Sequence, residues 1–176
     1  LIDFARRQAQ VNELRYGEPV GVETLTKEVT DYIQQYTQVG GARPFGVALI
    51  IAGIANGEPR LYETDPSGTP YEWKALAVGA DRGDIRQYLE DHYEETMDLD
   101  EATGLALEAL GSVTESGLRP EGVSLVTVGV DDREYRRLTD DEVEDHLLDL
   151  DLLADEDADE ANDDADASGD DADTDE

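Results

Sequence analysis

An uninterrupted apolar run is the feature that most constrains how this chain can fold. Residues 47–54 read VALIIAGI, follow a glycine and precede the dipeptide Asn56-Gly57. Eight residues are too few for a typical helix, so we predict a strand that is covered on both faces. Asn-Gly is a strong signal for a two-residue hairpin, which predicts an antiparallel partner immediately afterwards.

Two further strands are predicted beyond this hairpin. Residues 61–65 form the returning strand, and residues 65–68, DPSG, place Asp, Pro and Gly where a β-turn favours them. Residues 71–78 then alternate and include Trp73, the one tryptophan of the sequence. The pattern predicts a three-stranded antiparallel meander.

Helical periodicity surrounds this meander. Apolar residues recur every three or four positions in residues 1–16, before Gly17, and in residues 22–36, before Gly40-Gly41. Later helices are predicted at residues 84–93, 98–115 and from Thr139, the last two opened by the capping boxes Asp98-x-x-Glu101 and Thr139-x-x-Glu142. A strand at 122–130 and its hairpin partner at 135–138 precede the final helix. This order predicts an α+β fold, with antiparallel sheet and helices packed outside it.

Carboxylates dominate the charge of the chain. The 176 residues include 45 acidic and 13 basic side chains, a formal net charge of −32. Nucleic acid is not an expected partner, because phosphate backbones are bound by clustered Lys and Arg. In molar salt the Debye length falls to about 3 Å and screens the repulsion between carboxylates. We therefore predict a halophilic, cytoplasmic protein.

The acidic residues also define the domain boundaries. Residues 151–176 carry 14 carboxylates, no basic residue and no core-forming pattern. We predict one domain over residues 1–153 and a disordered acidic tail over residues 154–176. No segment approaches the roughly 18 apolar residues that a membrane-spanning helix needs, so we predict no membrane association.

Candidate catalytic and metal-binding residues are few. The sequence has no cysteine, and its two histidines, His92 and His146, stand among apolar neighbours at helical spacing, which is typical of packed or half-exposed histidines rather than catalytic ones. No His-x-x-His or Glu-x-x-His spacing of a zinc site is found. Ser67 belongs to a turn sequence without a nearby base, and the glycines do not form a nucleotide-binding loop. We predict no metal, cofactor or catalytic residue.

Several short motifs are specific when taken together. They are RRQA at 6–9, YGEP at 16–19, RPFGVALI at 43–50, LYETDPSG at 61–68 and WKA at 73–75. As a set they resemble the α-type subunits of the proteasome core particle over about residues 1–138, and the acidic bias favours a halophilic archaeal member. The family-signature residues carried by this resemblance are Arg43, Pro44, Phe45, Gly46, Asp65, Pro66, Ser67, Gly68, Trp73 and Lys74.

The resemblance implies the N-terminal-nucleophile hydrolase fold. That fold is a four-layer αββα sandwich of two antiparallel sheets between helices, and this sequence would supply its C-terminal two-thirds. The family's leading helix and first strands are expected before Leu1. Trp73 would then fill the core between the sheets.

The resemblance also implies a function. In this family the proteolytic β subunits attack with an amino-terminal threonine, whereas this sequence begins with Leu1 and its first threonine, Thr24, lies in a helical pattern. The implied role is a non-catalytic α subunit that gates substrate entry, supports β-ring assembly and docks a regulatory AAA ATPase in ubiquitin-independent, ATP-dependent degradation. The implied partners are other α subunits in a heptameric ring, proteasome β subunits, that ATPase and unfolded protein substrates.

Two alternatives remain open from the sequence. One is a catalytic β-type threonine protease whose nucleophile lies upstream of Leu1. The other is an unrelated halophilic α+β binding module.

Overall fold

The computed structural model describes residues 1–38 and 43–154. The chain divides into two compact units, one of Leu1–Leu76 with Val128–Tyr135 and one of Ala77–Thr127 with Arg136–Glu176. Of the tail predicted for residues 154–176, residues 155–176 lie outside the described part of the chain.

Two helices open the first unit, as predicted. Helix α1 (Ile2–Tyr16) ends at Gly17, whose left-handed φ of 73° lets its N–H reach the carbonyl of Glu13. Helix α2 (Val22–Gln38) buries one stripe of side chains. The predicted stop of α2 at Gly40-Gly41 lies outside the described residues. The stripe of α2 consists of Val22, Thr26, Val29, Thr30 and Ile33.

The predicted meander is confirmed. Strands β1 (Leu49–Ala55), β2 (Glu58–Thr64) and β3 (Pro70–Trp73) form an antiparallel sheet in the order β1-β2-β3. Asn56 and Gly57 join β1 to β2 with φ values of 55° and 81°, as a type I′ hairpin turn requires. Strand β3 is shorter than the predicted 71–78, because the chain bends away from β2 after Trp73.

One face of this sheet packs on α2. Tyr62 and Thr64 of β2 are buried there, and a Cβ on Gly53 of β1 would lie 2.9 Å from the Cγ2 of Val22. The opposite face keeps Ile50 49% exposed. The prediction that residues 47–54 are covered on both faces is therefore wrong for the described residues, in which α2 supplies the covering layer.

Trp73 lies on that uncovered face, contrary to the expectation that it fills the core. It pairs with Leu61, the neighbour of the buried Tyr62, so its side chain points away from α2, and it is 37% exposed. Trp73 stays partly exposed because α2, which covers the sheet among the described residues, packs on the opposite face.

Replacement of Trp73 by alanine in this chain is consequently expected to cost less than a buried aromatic would. Fully buried Phe or Trp side chains lose about 3–5 kcal/mol on truncation to alanine. We expect the free energy of unfolding to fall by less than about 3 kcal/mol in a urea titration in molar KCl. A larger loss would mean that another part of the protein covers this face.

The described part of the second unit contains three α-helices. They are α3 (Arg82–His92), α4 (Leu99–Gly111) and α5 (Asp140–Asp149), with a 3₁₀ turn at Pro120–Gly122. Both predicted capping boxes are confirmed: Asp98 and Glu101 exchange side-chain and backbone hydrogen bonds at α4, and Thr139 and Glu142 do the same at α5. Helix α4 ends at Gly111, four residues before the predicted end.

The core of the second unit is aliphatic. Leu107 of α4, Leu118, and Val143 and Leu147 of α5 are buried together. After α5 the chain turns back and pairs with Leu118. The Leu118 N–H donates to the carbonyl of Leu152 at 2.7 Å, and the Ala154 N–H donates to the carbonyl of Leu118 at 3.0 Å. This returning segment, residues 150–154, closes the core.

The last predicted hairpin is present but short. Strands β4 (Val126–Val128) and β5 (Tyr135–Arg137) form a two-stranded sheet. Of the predicted strand 122–130, Gly122 ends the 3₁₀ turn and residues 123–125 are irregular. Its last residues, 129 and 130, belong to the loop in which the Arg133 N–H donates to the carbonyl of Gly129.

Candidate functional site

Helix α2 holds the first signature segment, residues 43–46, through an aromatic cluster. The ring of Phe45 lies 4.6 Å from that of Tyr36 and 5.8 Å from that of Tyr32. Tyr32 in turn stacks on Phe4 of α1, with centroids 4.1 Å apart and an interplanar angle of 6°. Such aromatic pairs add about 0.5–1.5 kcal/mol each beyond their buried area. The cluster ties the segment to both helices.

A hydroxyl contact adds to this cluster. The hydroxyl oxygens of Tyr32 and Tyr36 lie 3.1 Å apart, one helical turn apart on α2. This hydrogen bond raises the pKa of Tyr32, and desolvation contributes in the same direction. The other members of the first signature segment, Arg43, Pro44 and Gly46, are exposed.

The second signature segment, residues 65–68, is an internally bonded loop. The Asp65 carboxylate accepts hydrogen bonds from the Ser67 hydroxyl at 2.6 Å, the Ser67 N–H at 2.8 Å and the Thr69 N–H at 2.9 Å. The Ser67 hydroxyl, followed by the backbone donors, lowers the pKa of Asp65 below its usual 3.8. Pro66 occupies the next position of the turn, and the Gly68 N–H donates to the Asp65 carbonyl at 3.0 Å.

The loop packs against α2 at Gly68. The Gln34 side-chain amide donates to the Gly68 carbonyl at 3.1 Å. Gly68 has a φ of +86°, and a Cβ there would lie 2.8 Å from the carbonyl oxygen of Thr30. Glycine is required both by the backbone conformation and by the space against the helix. The two signature segments thus meet the same stretch of α2, residues 30–36.

A Gly68→Ala substitution tests the contact between this loop and α2. Left-handed backbone costs an ordinary residue about 1–2 kcal/mol, and the overlap with Thr30 adds to that cost. Gly57→Ala is the matched control, because Gly57 has a similar φ of +81° but nothing lies within 4 Å of the position that its Cβ would take. In urea titrations Gly68→Ala should lose more stability than Gly57→Ala. Equal losses would show that α2 does not restrict the loop.

The remaining signature residues lie apart from this site. Trp73 is on the opposite face of the sheet from α2, and Lys74 is exposed immediately after β3. The structure therefore groups residues 43–46 with residues 65–68 and leaves Trp73 and Lys74 outside that group.

Sequence reasoning missed the partners that hold the site together. Phe4, Tyr32 and Tyr36 were recognisable only as members of helical stripes, and Gln34 carried no signal at all. The repeated aromatic at an interval of four, Tyr32 and Tyr36, is the one pattern that could have indicated the cluster.

The two histidines and Thr24 lie outside this site, whereas Ser67 belongs to its second signature segment. His92 stacks on Tyr88 of α3 with centroids 4.1 Å apart, and His146 lines a cavity of about 190 Å³ beside Arg136 and Glu142. Thr24 is an exposed residue of α2. Within residues 1–38 and 43–154, no group of three or more His, Asp or Glu side chains is arranged to hold a metal ion, and no helix is both long and apolar enough to cross a bilayer.

Comparison with known proteins identifies the family. The family model described as "Proteasome subunit" matches residues 1–128, which include both signature segments and all of α2. The chain belongs to the proteasome subunit family. In this proteasome-family chain, α2 and the two signature segments that contact it all lie within the matched region. Residues after β4 lie beyond that region.

Several similar proteasome subunits come from halophilic archaea. The chain is 74% identical over 161 residues to proteasome subunit alpha 1 of Haloarcula marismortui, which covers 91% of the chain and 62% of the relative. It is 72% identical over 162 residues to proteasome subunit alpha of Natronomonas pharaonis, covering 91% and 64%. Proteasome subunit alpha 1 of Haloferax volcanii is 63% identical over 157 residues, covering 89% and 62%. The chain thus spans less than two-thirds of these relatives.

Proposed function

We propose that this chain acts as a non-catalytic α subunit of the proteasome core particle. The observation that carries the proposal is that residues 43–46 and residues 65–68 both contact α2. Phe45 packs on Tyr36, and Gln34 donates a hydrogen bond to the Gly68 carbonyl. Both segments belong to the motifs through which the sequence resembles α-type subunits. The names and identities of the haloarchaeal relatives support the same assignment.

The proposed role is mechanical. As an α subunit the protein would form a heptameric ring in the cytoplasm, support assembly of the β ring and restrict entry to unfolded proteins. A regulatory AAA ATPase would dock on this ring, and the β subunits would cleave the peptide bonds. Signature residues Arg43, Pro44 and Gly46 remain at the surface of the described chain, where they are available to neighbouring subunits.

The full fold proposed for this subunit is the four-layer αββα sandwich. Support comes from the face of β1–β3 opposite α2, where Ile50, Tyr71 and Trp73 are exposed apolar side chains. A second sheet stacked about 10 Å away would bury these side chains. The chain spans only 62–64% of the first two relatives, so a complete subunit has further residues from which such a sheet can form.

Trp73 is a probe for the second sheet, since it is the one tryptophan of the chain. In the complete gene product, we expect its fluorescence to shift to shorter wavelength and to resist quenching by acrylamide, relative to residues 1–176 alone. Equal emission and quenching in the two proteins would contradict the sandwich.

Assembly tests the function itself. The complete gene product would be sedimented in multimolar KCl, alone and with a proteasome β subunit, and each fraction assayed for peptide cleavage. We expect an inactive ring-sized species that becomes part of an active, larger complex when β is added. Cleavage by the protein alone would favour the catalytic β-type alternative. A monomer that never joins β would favour the binding module.

A further inference from the structure

The hairpin tip between β1 and β2 combines an amide side chain with an unprotected backbone nitrogen. Asn56 and Gly57 are both exposed, and nothing lies within 4 Å of the position that a Cβ would take on Gly57. Among the described residues, no hydrogen bond holds the Asn56 carboxamide or the Gly57 N–H. In most Asn-X pairs the side chain of residue X hinders attack by its own backbone nitrogen on Cγ of the asparagine. Gly57 has no side chain, so this hindrance is missing.

We propose that Asn56 is a site of spontaneous deamidation. The Gly57 backbone nitrogen attacks Cγ of Asn56, the new N–Cγ bond closes a five-membered succinimide, and the Cγ–Nδ2 bond breaks. Ammonia leaves with the proton that the Gly57 nitrogen gives up. Water then opens the ring at one of its two carbonyls, yielding aspartate or isoaspartate. The reaction needs no enzyme and no reagent other than water.

The chain contains its own comparison sites. Its other asparagines, Asn12 and Asn162, are followed by Glu13 and Asp163, whose side chains hinder the attacking nitrogen. Asn12 also lies within α1, where its amide donates to the Glu18 carbonyl at 3.1 Å. The helical backbone of α1 keeps the Glu13 nitrogen engaged and away from the Asn12 side chain. Asn56 alone has both a glycine neighbour and an open turn.

The two products differ in their effect on the hairpin. Aspartate tolerates the left-handed conformation and adds only a negative charge. Isoaspartate inserts a methylene group into the main chain, so the two-residue turn no longer fits the closing pair Ala55 and Glu58. Accumulated isoaspartate would therefore disturb the register of β1 and β2, in which side chains alternate between the α2 face and the exposed face.

The experiment is timed incubation of the full chain in molar KCl at neutral and mildly alkaline pH. Peptide mass spectrometry would measure amide-to-acid conversion at each asparagine, and enzymatic methylation would detect isoaspartate. We expect several-fold greater conversion at Asn56 than at Asn12 or Asn162, and faster conversion at the higher pH because the attacking nitrogen must lose its proton.

An Asn56→Gly variant is the negative control. A Gly-Gly pair also suits this hairpin turn, so the fold should persist, verified by circular dichroism, while isoaspartate at this position disappears. Conversion at Asn56 no greater than at the other two asparagines overturns the proposal. Isoaspartate formation that is undiminished in the variant also overturns it, because the modified residue must then lie elsewhere.

Discussion

Replacement of Leu147 by alanine is expected to lower the free energy of unfolding by about 2–5 kcal/mol. Leu147 is 0% exposed and lies with Leu107, Leu118 and Val143 in the core of the second unit. The loss combines the transfer energy of the deleted methyl groups with the cavity left among neighbours that cannot fully collapse. Urea titration in molar KCl measures it from the shift of the unfolding midpoint.

Leu148→Ala provides the control on the same helix. Leu148 is the next residue of α5 and is 56% exposed, so its truncation should change stability by no more than about 0.5 kcal/mol. The pair shares residue type, helix and helix propensity, and differs in burial. Similar losses for the two variants would show that α5 presents a different face to the core.

Transfer from molar KCl to dilute buffer is expected to abolish the cooperative fold. With 45 acidic and 13 basic residues, the chain carries a formal charge of −32. The Debye length is about 3 Å at 1 M salt and about 30 Å at 0.01 M, so dilution restores repulsion between carboxylates across the whole molecule. Circular dichroism during stepwise dilution and thermal melts at each step would record the loss.

An uncharged solute distinguishes charge screening from the stabilisation that any solute excluded from the protein surface gives. Sucrose favours burial by exclusion from the protein surface but does not screen charges. Dilute buffer with sucrose should therefore restore much less structure than KCl does. A cooperative melt in dilute buffer, unchanged from that in molar KCl, would refute the halophilic interpretation.

Features encoded within a few residues were predicted well. Asp98 with Glu101 and Thr139 with Glu142 are capping boxes whose partners lie three positions apart, and Asn56-Gly57 fixes a turn by its own backbone preferences. Each of these features depends on neighbours in the sequence rather than on tertiary contacts. The meander and the helix order followed from them.

Features that depend on distant partners were not predicted. Alternation through residue 78 indicates which side chains share a face, but it does not say where β2 stops pairing, and β3 ends at Trp73. Gln34 and Gly68 are 34 positions apart, so no local pattern joins them. Burial of Trp73 could not be judged either, because it depends on what packs against an edge strand.

The returning segment at residues 150–154 bears on how this protein should be handled. Leu152 lies against Gly111 and pairs through its carbonyl with Leu118, while the Ala154 N–H reaches the carbonyl of Leu118. A truncated version ending with α5 at Asp149 would remove these bonds and open the core to water. A version ending after Ala154 would keep them, so affinity tags and cleavage sites belong beyond residue 154.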